Sequence, residues 1–266
     1  MIKLIVTDVD GTLGPVNTPT IHKDYYPMME QLLKKGIRIA VASGRQHPAL
    51  EHLFSSLGEQ LIYIADNGAH VRMKDKDLYI SQMSLETSHE LVRDVRKMNN
   101  GCECAYCVAG LAYFTENDRN VYRVMKESMN YKCVMVDSLE SLDEPCIKMT
   151  IYHPEDAEGA TADYFTPKWK DRLQVSCSGI IYMDVMNRGT NKGVSLKKVQ
   201  EYLGVTKDET MVFGDNSNDL EMFQQAHYSY AVGDAREEVR NAARFLAPPM
   251  KEEGVLQELK KLLDTL

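Results

Sequence analysis

The run KLIVTD at residues 3–8 ends on an aspartate, and a second follows two places later in Asp8-Val9-Asp10-Gly11-Thr12. So short and apolar a run, rich in β-branched residues, predicts a strand buried on both faces; such strands belong to parallel sheets covered by helices. The chain keeps to that architecture. Apolar residues at helical spacing (Met28, Met29, Leu32, Leu33) predict a helix over 24–35, stopped by Gly36. IRIAVA at 37–42 predicts a second strand, 48–57 a helix, and LIYIA at 61–65 a third strand. This β-α-β-α-β succession predicts a doubly wound, Rossmann-like α/β fold with a parallel sheet and helices on both faces.

The alternation breaks after residue 68. Residues 69–83 predict a hairpin and 86–98 a helix. Short strands (147–152, 173–177, 180–185) then mix with helices (117–129, 160–171). From 192 the alternation returns: helix 193–203, strand 210–214, helix 218–226, strand 228–232 and helices 235–243 and 254–265. The expected organisation is a core of residues 1–82 and 186–266, with residues 83–185 inserted as a smaller α+β domain.

Composition narrows the partners. A formal net charge of −8 over 266 residues argues against nucleic acid, which calls for a basic face. The N-terminal apolar run is too short for a signal peptide, and no segment approaches a membrane span, so a cytoplasmic location is expected. Cys102-x-Cys104-x-x-Cys107 has zinc-like spacing but lacks a nearby fourth ligand, so these cysteines are expected to be reduced, buried residues without metal.

Four segments carry chemistry. On an extended strand end, residues i and i+2 point the same way, so Asp8 and Asp10 face one site beyond the carboxyl edge of the sheet. Two carboxylates so placed require a cation or a shared proton. Gly214-Asp215-Asn216-Ser217-Asn218-Asp219 sets further carboxylates at the end of strand 210–214. A calcium loop is excluded, because its required Gly and Glu positions hold Leu220 and Ala226. Ser43-Gly44-Arg45 follows the second strand and supplies a hydroxyl and a backbone N–H before a helix, while Lys192-Gly193 opens another helix with a positive charge.

These segments, in this order, resemble the haloacid dehalogenase superfamily of phosphohydrolases along the whole chain. Asn67-Gly68-Ala69, Arg188-Gly189-Thr190-Asn191-Lys192-Gly193, GDNSNDLEM and the downstream AVGDA are similar to its Cof-type branch, whose α/β cap is inserted between the second and third motifs. The resemblance implies Mg2+-dependent hydrolysis of a small phosphate ester, with Asp8 the nucleophile that forms an aspartyl-phosphate and Asp10 the general acid and base. Ser43, Gly44, Lys192 and Asn218 would contact phosphate. Asp8, the main-chain carbonyl of Asp10, and Asp215 would hold Mg2+, with Asp219 behind them. The cap would close over the leaving group and select it. Gly14-Pro15, His227 and Val232 depart from the usual pattern without touching a catalytic position. A sugar phosphomutase is the alternative within this resemblance; such enzymes carry several cap arginines for a bisphosphate, and this cap has Arg93, Arg96, Arg119, Arg123 and Arg172, the first four on expected helices where a solvated face accounts for them. A catalytically silent binding protein on the same fold is the alternative outside catalysis.

Overall fold

The computed structural model describes residues 1–98 and 100–266. They fall into two compact units, Met1–Tyr79 with Asn191–Leu266, and Ile80–Thr190.

In the first unit β1 (Leu4–Thr7) is buried along its whole length. It pairs in parallel with β2 (Arg38–Ala42) on one side and with a strand from the far end of the chain, Thr210–Gly214, on the other. β3 (Ile62–Ala65) continues the sheet beyond β2, followed by the hairpin β4 (His70–Met73) and β5 (Lys76–Ile80). The connecting helices are α1 (Tyr25–Lys34) and α2 (His47–Leu53).

The second unit holds α3 (Leu85–Met98), β6 (Glu103–Val108), β7 (Leu111–Phe114), α4 (Arg119–Arg123), β8 (Cys133–Met135), β9 (Lys148–Tyr152), α5 (Ala162–Trp169), β10 (Leu173–Gly179) and β11 (Tyr182–Asn187). Its sheet runs β10-β11-β9-β6-β7-β8 and is antiparallel except for the β7–β8 pair. Leu91 and Val95 of α3 and Phe165 and Trp169 of α5 share its core with Tyr106, Met149, Ile151, Met183 and Val185. Trp169 donates its indole N–H to the buried Asp94 at 2.9 Å.

The chain then returns to the first unit through α6 (Lys192–Leu203), β12 (Thr210–Gly214), α7 (Leu220–Phe223), β13 (Tyr228–Val232), α8 (Glu237–Ala242), β14 (Phe245–Ala247) and α9 (Gly254–Leu263). The complete first sheet runs β14-β13-β12-β1-β2-β3-β4-β5. Thr7 lies level with Val41 of β2 and Phe213 of β12, so the chain leaves β1, β2 and β12 at one edge. The sheet grows from β1 in both directions. That is a topological switch point, where loops diverge and leave a crevice for ligands.

Four strands depart from the sequence expectation: β6, β7, β8 and β14. In β6, ECAYCV is buried at every position, so no polar alternation marks it; β8 and β14 are three residues each. The expected helix 117–129 is a 3-10 turn at Glu116–Asp118, the short α4, and a wide turn at Val124–Ser128. The expected helix 218–226 shortens to α7 behind a 3-10 turn at Ser217–Asp219. Cys104 and Cys107, three apart on β6, point to opposite faces, while the Cys102 thiol lies 3.5 Å from the Thr161 hydroxyl. Their spacing therefore does not converge on one ion.

Candidate active site

At the end of β1 the backbone N–H of Asp8 still follows the sheet, donating to Phe213 O at 3.0 Å. The chain then folds into a tight turn in which Leu13 N–H donates to Val9 O at 2.9 Å and Gly11 N–H to Gly14 O at 2.7 Å. Gly11 sits at φ +92°, and a Cβ there would lie 2.3 Å from Asp215 Oδ2. Only glycine lets this turn pass so close to the β12 loop.

Across the switch point, Asn216 and Asp219 form a reciprocal cap on the turn after β12. Asp219 Oδ2 accepts from the N–H of Asp215 at 3.0 Å and of Asn216 at 3.2 Å. Its Oδ1 accepts from Lys192 Nζ at 2.7 Å, and the same ammonium donates to Asp8 Oδ1 at 2.5 Å. Lys192 is the first residue of α6, whose N-cap Asn191 accepts from Val194 N–H at 2.8 Å. Thr12, also buried, donates its hydroxyl to Asp215 Oδ1 at 2.9 Å.

Asp8, Asp215 and Asp219 thus offer carboxylate oxygens all within 4.8 Å of one another, with one ammonium between two of them. One positive charge cannot neutralise three carboxylates in a buried place. Burial pushes Asp8 well above the usual carboxylate range, with the neighbouring Asp219 and Asp215 charges adding to the rise against Lys192. Burial, then the Asp219 charge, pushes Asp215 up to about 7, and Asp215 hydrogen-bonds Asp8. Burial alone would lower Lys192; Asp219 and Asp8 outweigh it and hold the ammonium above its ordinary value. These directions agree: Asp8 and Asp219 favour the charged form of Lys192, while burial and mutual repulsion favour a proton on the Asp8–Asp215 pair. A hard divalent cation fits this set, since closely spaced carboxylate oxygens are the donors that Mg2+ takes and its charge would displace that proton. Among the described residues this is the one group of three or more Asp, Glu, His or Cys side chains close enough to hold a metal ion.

A second set of contacts adjoins this one. The Arg45 guanidinium, itself buried, pairs with both oxygens of Asp10, Nε to Oδ2 at 2.8 Å and Nη2 to Oδ1 at 2.6 Å, and donates to Thr18 O at 2.8 Å. Asn17 N–H adds a bond to Asp10 Oδ1 at 3.0 Å. Ser43 Oγ accepts from Arg45 N–H at 3.1 Å, while Ser43 N–H donates to Ile64 O. After β3, Asp66, Asn67 and Gly68 follow one another at φ +51°, +52° and +93°. Left-handed backbone at a residue with a side chain costs roughly 1–2 kcal/mol each, and consecutive cases are held by surrounding contacts. Asn67 Oδ1 accepts from Asn218 Nδ2 at 2.9 Å.

The structure therefore gathers Asp8, Lys192, Asp215 and Asp219 into one hydrogen-bonded cluster. It sets Asp10 and Ser43 around Arg45, and Asn218 against Asn67. Asp219 is bonded from two sides. Both its oxygens accept hydrogen bonds from Lys192 and the backbone, so it orients Lys192 and the Asp215 loop. The sequence analysis assigns no role to Thr12, Arg45 or Asn67, although each lies within a motif it names.

The model of the haloacid dehalogenase-like hydrolase family matches residues 5–259. A solved structure from Eubacterium rectale is 32% identical with a TM-score of 0.87, covering 98% of this chain and 99% of that one. Among curated relatives, the 5-amino-6-(5-phospho-D-ribitylamino)uracil phosphatase YbjI of Escherichia coli is 26% identical, covering 98% of this chain and 96% of that protein. The enzyme of the same activity from Bacillus subtilis, YitU, is 26% identical over 97% of this chain and 96% of its own length. With one family model spanning nearly all of the sequence, this chain belongs to the haloacid dehalogenase-like hydrolase family.

Proposed function

We propose that this protein hydrolyses small phosphate monoesters, such as sugar or sugar-alcohol phosphates, by transferring the phosphoryl group to Asp8 and then to water. The observation that carries this reading is the cluster of Asp8, Asp215 and Asp219 around Lys192 at the switch point of a parallel sheet. Phosphoryl transfer asks the protein for in-line positioning and for positive charge against the equatorial oxygens. Lys192 supplies a fixed positive charge and orients Asp8 through Oδ1. A carboxylate attacking phosphorus splits the hydrolysis into two displacements: the P–O bond to the leaving group breaks as the bond to Asp8 forms, and water then cleaves the acyl phosphate. Asp10 donates the proton that the leaving oxygen takes and later accepts one from water. Ser43, the Gly44 N–H and Asn218 hold the remaining phosphate oxygens. Mg2+ would be held by Asp8, Asp215 and the main-chain carbonyl of Asp10, and when bound it neutralises charge on the transferred group.

The relatives' activity on a phosphorylated ribityl compound supports a hydroxyl-bearing leaving group. Selection among esters is assigned to the second unit, Ile80–Thr190. There Thr150 and Asp184 lie opposite each other on β9 and β11, and the Thr150 hydroxyl donates to Asp184 Oδ1 at 2.6 Å. The cap arginines pair within that unit: Arg93 with Glu140, Arg96 with Asp118, Arg119 with Glu116, Arg123 with Asn120 and Arg172 with Glu90.

The test is phosphate release from a panel of sugar, polyol and small-acid phosphates with Mg2+. Turnover of at least one ester is expected, abolished by EDTA and by Asp8→Asn. Full turnover by Asp8→Asn, or in excess EDTA, would end the hypothesis.

A further inference from the structure

Resting on that phosphatase reading, we infer that Asn67 is a positioning residue of the phosphate site, a side chain that sets the motif after β2 and the motif after β12 relative to each other. The backbone carries half of the argument. Asn67 N–H donates to Ser43 O at 3.0 Å, and Asp66 N–H donates to Arg45 O at 2.9 Å. In a planar trans peptide the carbonyl of residue 43 and the N–H of residue 44 point in opposite directions. Holding Ser43 O from one side therefore fixes the line along which the Gly44 N–H points. That N–H is one of the proposed phosphate donors.

The side chain carries the other half. Asn67 is buried, and its amide packs on Gly44: a Cβ built at Gly44 would lie 3.3 Å from both Asn67 Nδ2 and Oδ1. The same amide accepts from Asn218 Nδ2 at 2.9 Å. One group thus touches Gly44 and Asn218, two proposed phosphate contacts separated by most of the chain. It does so from a backbone at φ +52°, between Asp66 at +51° and Gly68 at +93°. A turn needed only to reverse β3 into β4 would be met more easily by glycine at 67, since glycine adopts this conformation without a steric penalty. What asparagine adds over glycine at this position is the amide that meets Asn218.

Glycine therefore separates the two roles. Asn67→Gly keeps the left-handed backbone and its N–H but removes the amide; Asn67→Asp keeps an acceptor for Asn218 but adds a negative charge beside the anion site. Inorganic phosphate serves as the probe, through its competitive inhibition constant and through calorimetric titration with Mg2+ present, alongside kcat, KM and Tm. For Asn67→Gly we expect an unchanged Tm within a few degrees, phosphate binding weaker by roughly five- to fifteen-fold, as for a lost polar contact, and kcat/KM reduced by a similar factor for every ester. Asn67→Asp should bind phosphate more weakly still, and its deficit should shrink at high salt as charge repulsion is screened. Wild-type phosphate affinity and kcat/KM in Asn67→Gly would overturn the role of Asn67 while leaving the phosphatase reading intact. So would a loss that merely tracks a fall in Tm. Wild-type protein that releases no phosphate from any ester would overturn the phosphatase reading, and this assignment with it.

Discussion

Lys192→Met removes a charge while nearly preserving the shape of a fully buried side chain. The ammonium bonds Asp8 Oδ1 at 2.5 Å and Asp219 Oδ1 at 2.7 Å, and the lysine side chain is 1% exposed. Without it, three carboxylates remain within 4.8 Å of one another with no cation among them. Breaking a buried ion pair by deleting one partner typically destabilises by about 3–5 kcal/mol. Two lost charge-assisted bonds at about 1.5–3 kcal/mol each give the same range. At roughly 2–4 °C per kcal/mol for a chain of this size, the midpoint in EDTA at pH 8 should fall by about 10 °C. The loss must depend on pH, because protonating the cluster replaces part of the missing positive charge. It should therefore be smaller at pH 5, and saturating Mg2+ should recover much of it at pH 8. Turnover should drop about 10²–10³-fold, the usual effect of deleting one preorganised donor to a developing oxyanion. That factor should be similar for every ester, since Lys192 is bonded to Asp8 and Asp219, which the proposed mechanism sets at the phosphoryl group rather than the leaving group. Thermal melts at both pH values, with and without Mg2+, read the first effect and steady-state kinetics the second. A Lys192→Met midpoint equal to wild type at pH 8 in EDTA, or a loss equal at pH 5 and pH 8, would refute the electrostatic account of this cluster.

Asp215, pushed up to about 7 from an unfolded value near 3.8, contributes stability that is complete below about pH 4 and lost as pH rises toward 7. The opposing carboxyls, Asp77, Glu90, Asp156 and Glu209, are lowered and act at or below the ordinary carboxylate range. Metal-free protein should therefore lose Tm between pH 5 and 7, a slope that Asp215→Asn flattens and that a pH series of melts would reveal as absent if the argument is wrong. The midpoint gain on adding Mg2+ should be larger at pH 7.5 than at pH 5.5, because binding must displace the shared proton. Gly11→Ala places a methyl 2.3 Å from Asp215 Oδ2 at a φ of +92°, so it should depress kcat/KM at least 10²-fold through misplaced carboxylates; near-normal kinetics would show that the turn tolerates a side chain. Asp10→Asn should slow turnover by about 10²–10⁴-fold, the usual worth of general acid–base catalysis, and unchanged kinetics would remove Asp10 from that role.

What the sequence made legible follows from where the information lies along the chain. KLIVTD and TMVFG are continuous apolar strands, and the residues after them are forced to the same sheet edge by register alone. Asp8 and Asp215 could thus be placed together from two local patterns and one topological rule. The strands β6 and β8 offered no such pattern. β6 is buried on both faces with cysteines where β-branched residues would signal a strand, and β8 is too short to show a period.

The unread part of the site has a different cause. Arg45 lies within a motif named from the sequence, yet its guanidinium reaches Asp10, thirty-five positions earlier. Thr12 donates to a carboxylate 203 positions away, and Asn67 to Asn218 spans 151. No local periodicity encodes which of two nearby loops a long side chain will choose; that choice is made by competition between partners once the sheet has set the loops side by side. Arg45 illustrates the competition. Fully extended toward water it would be one more solvated charge before a helix, but its own backbone is anchored, with the N–H on Ser43 Oγ and the carbonyl on Asp66 N–H, so the guanidinium starts from a buried position. A guanidinium cannot shed its charge, so a buried one must find a carboxylate, and the planar fork matches Asp10 through two bonds. The anchoring of the backbone thus decides the pairing of the side chain. Residues that bridge motifs are for that reason found by asking which backbone is pinned from a second segment, and Asn67 meets that condition through Ser43 as Arg45 does through Asp66.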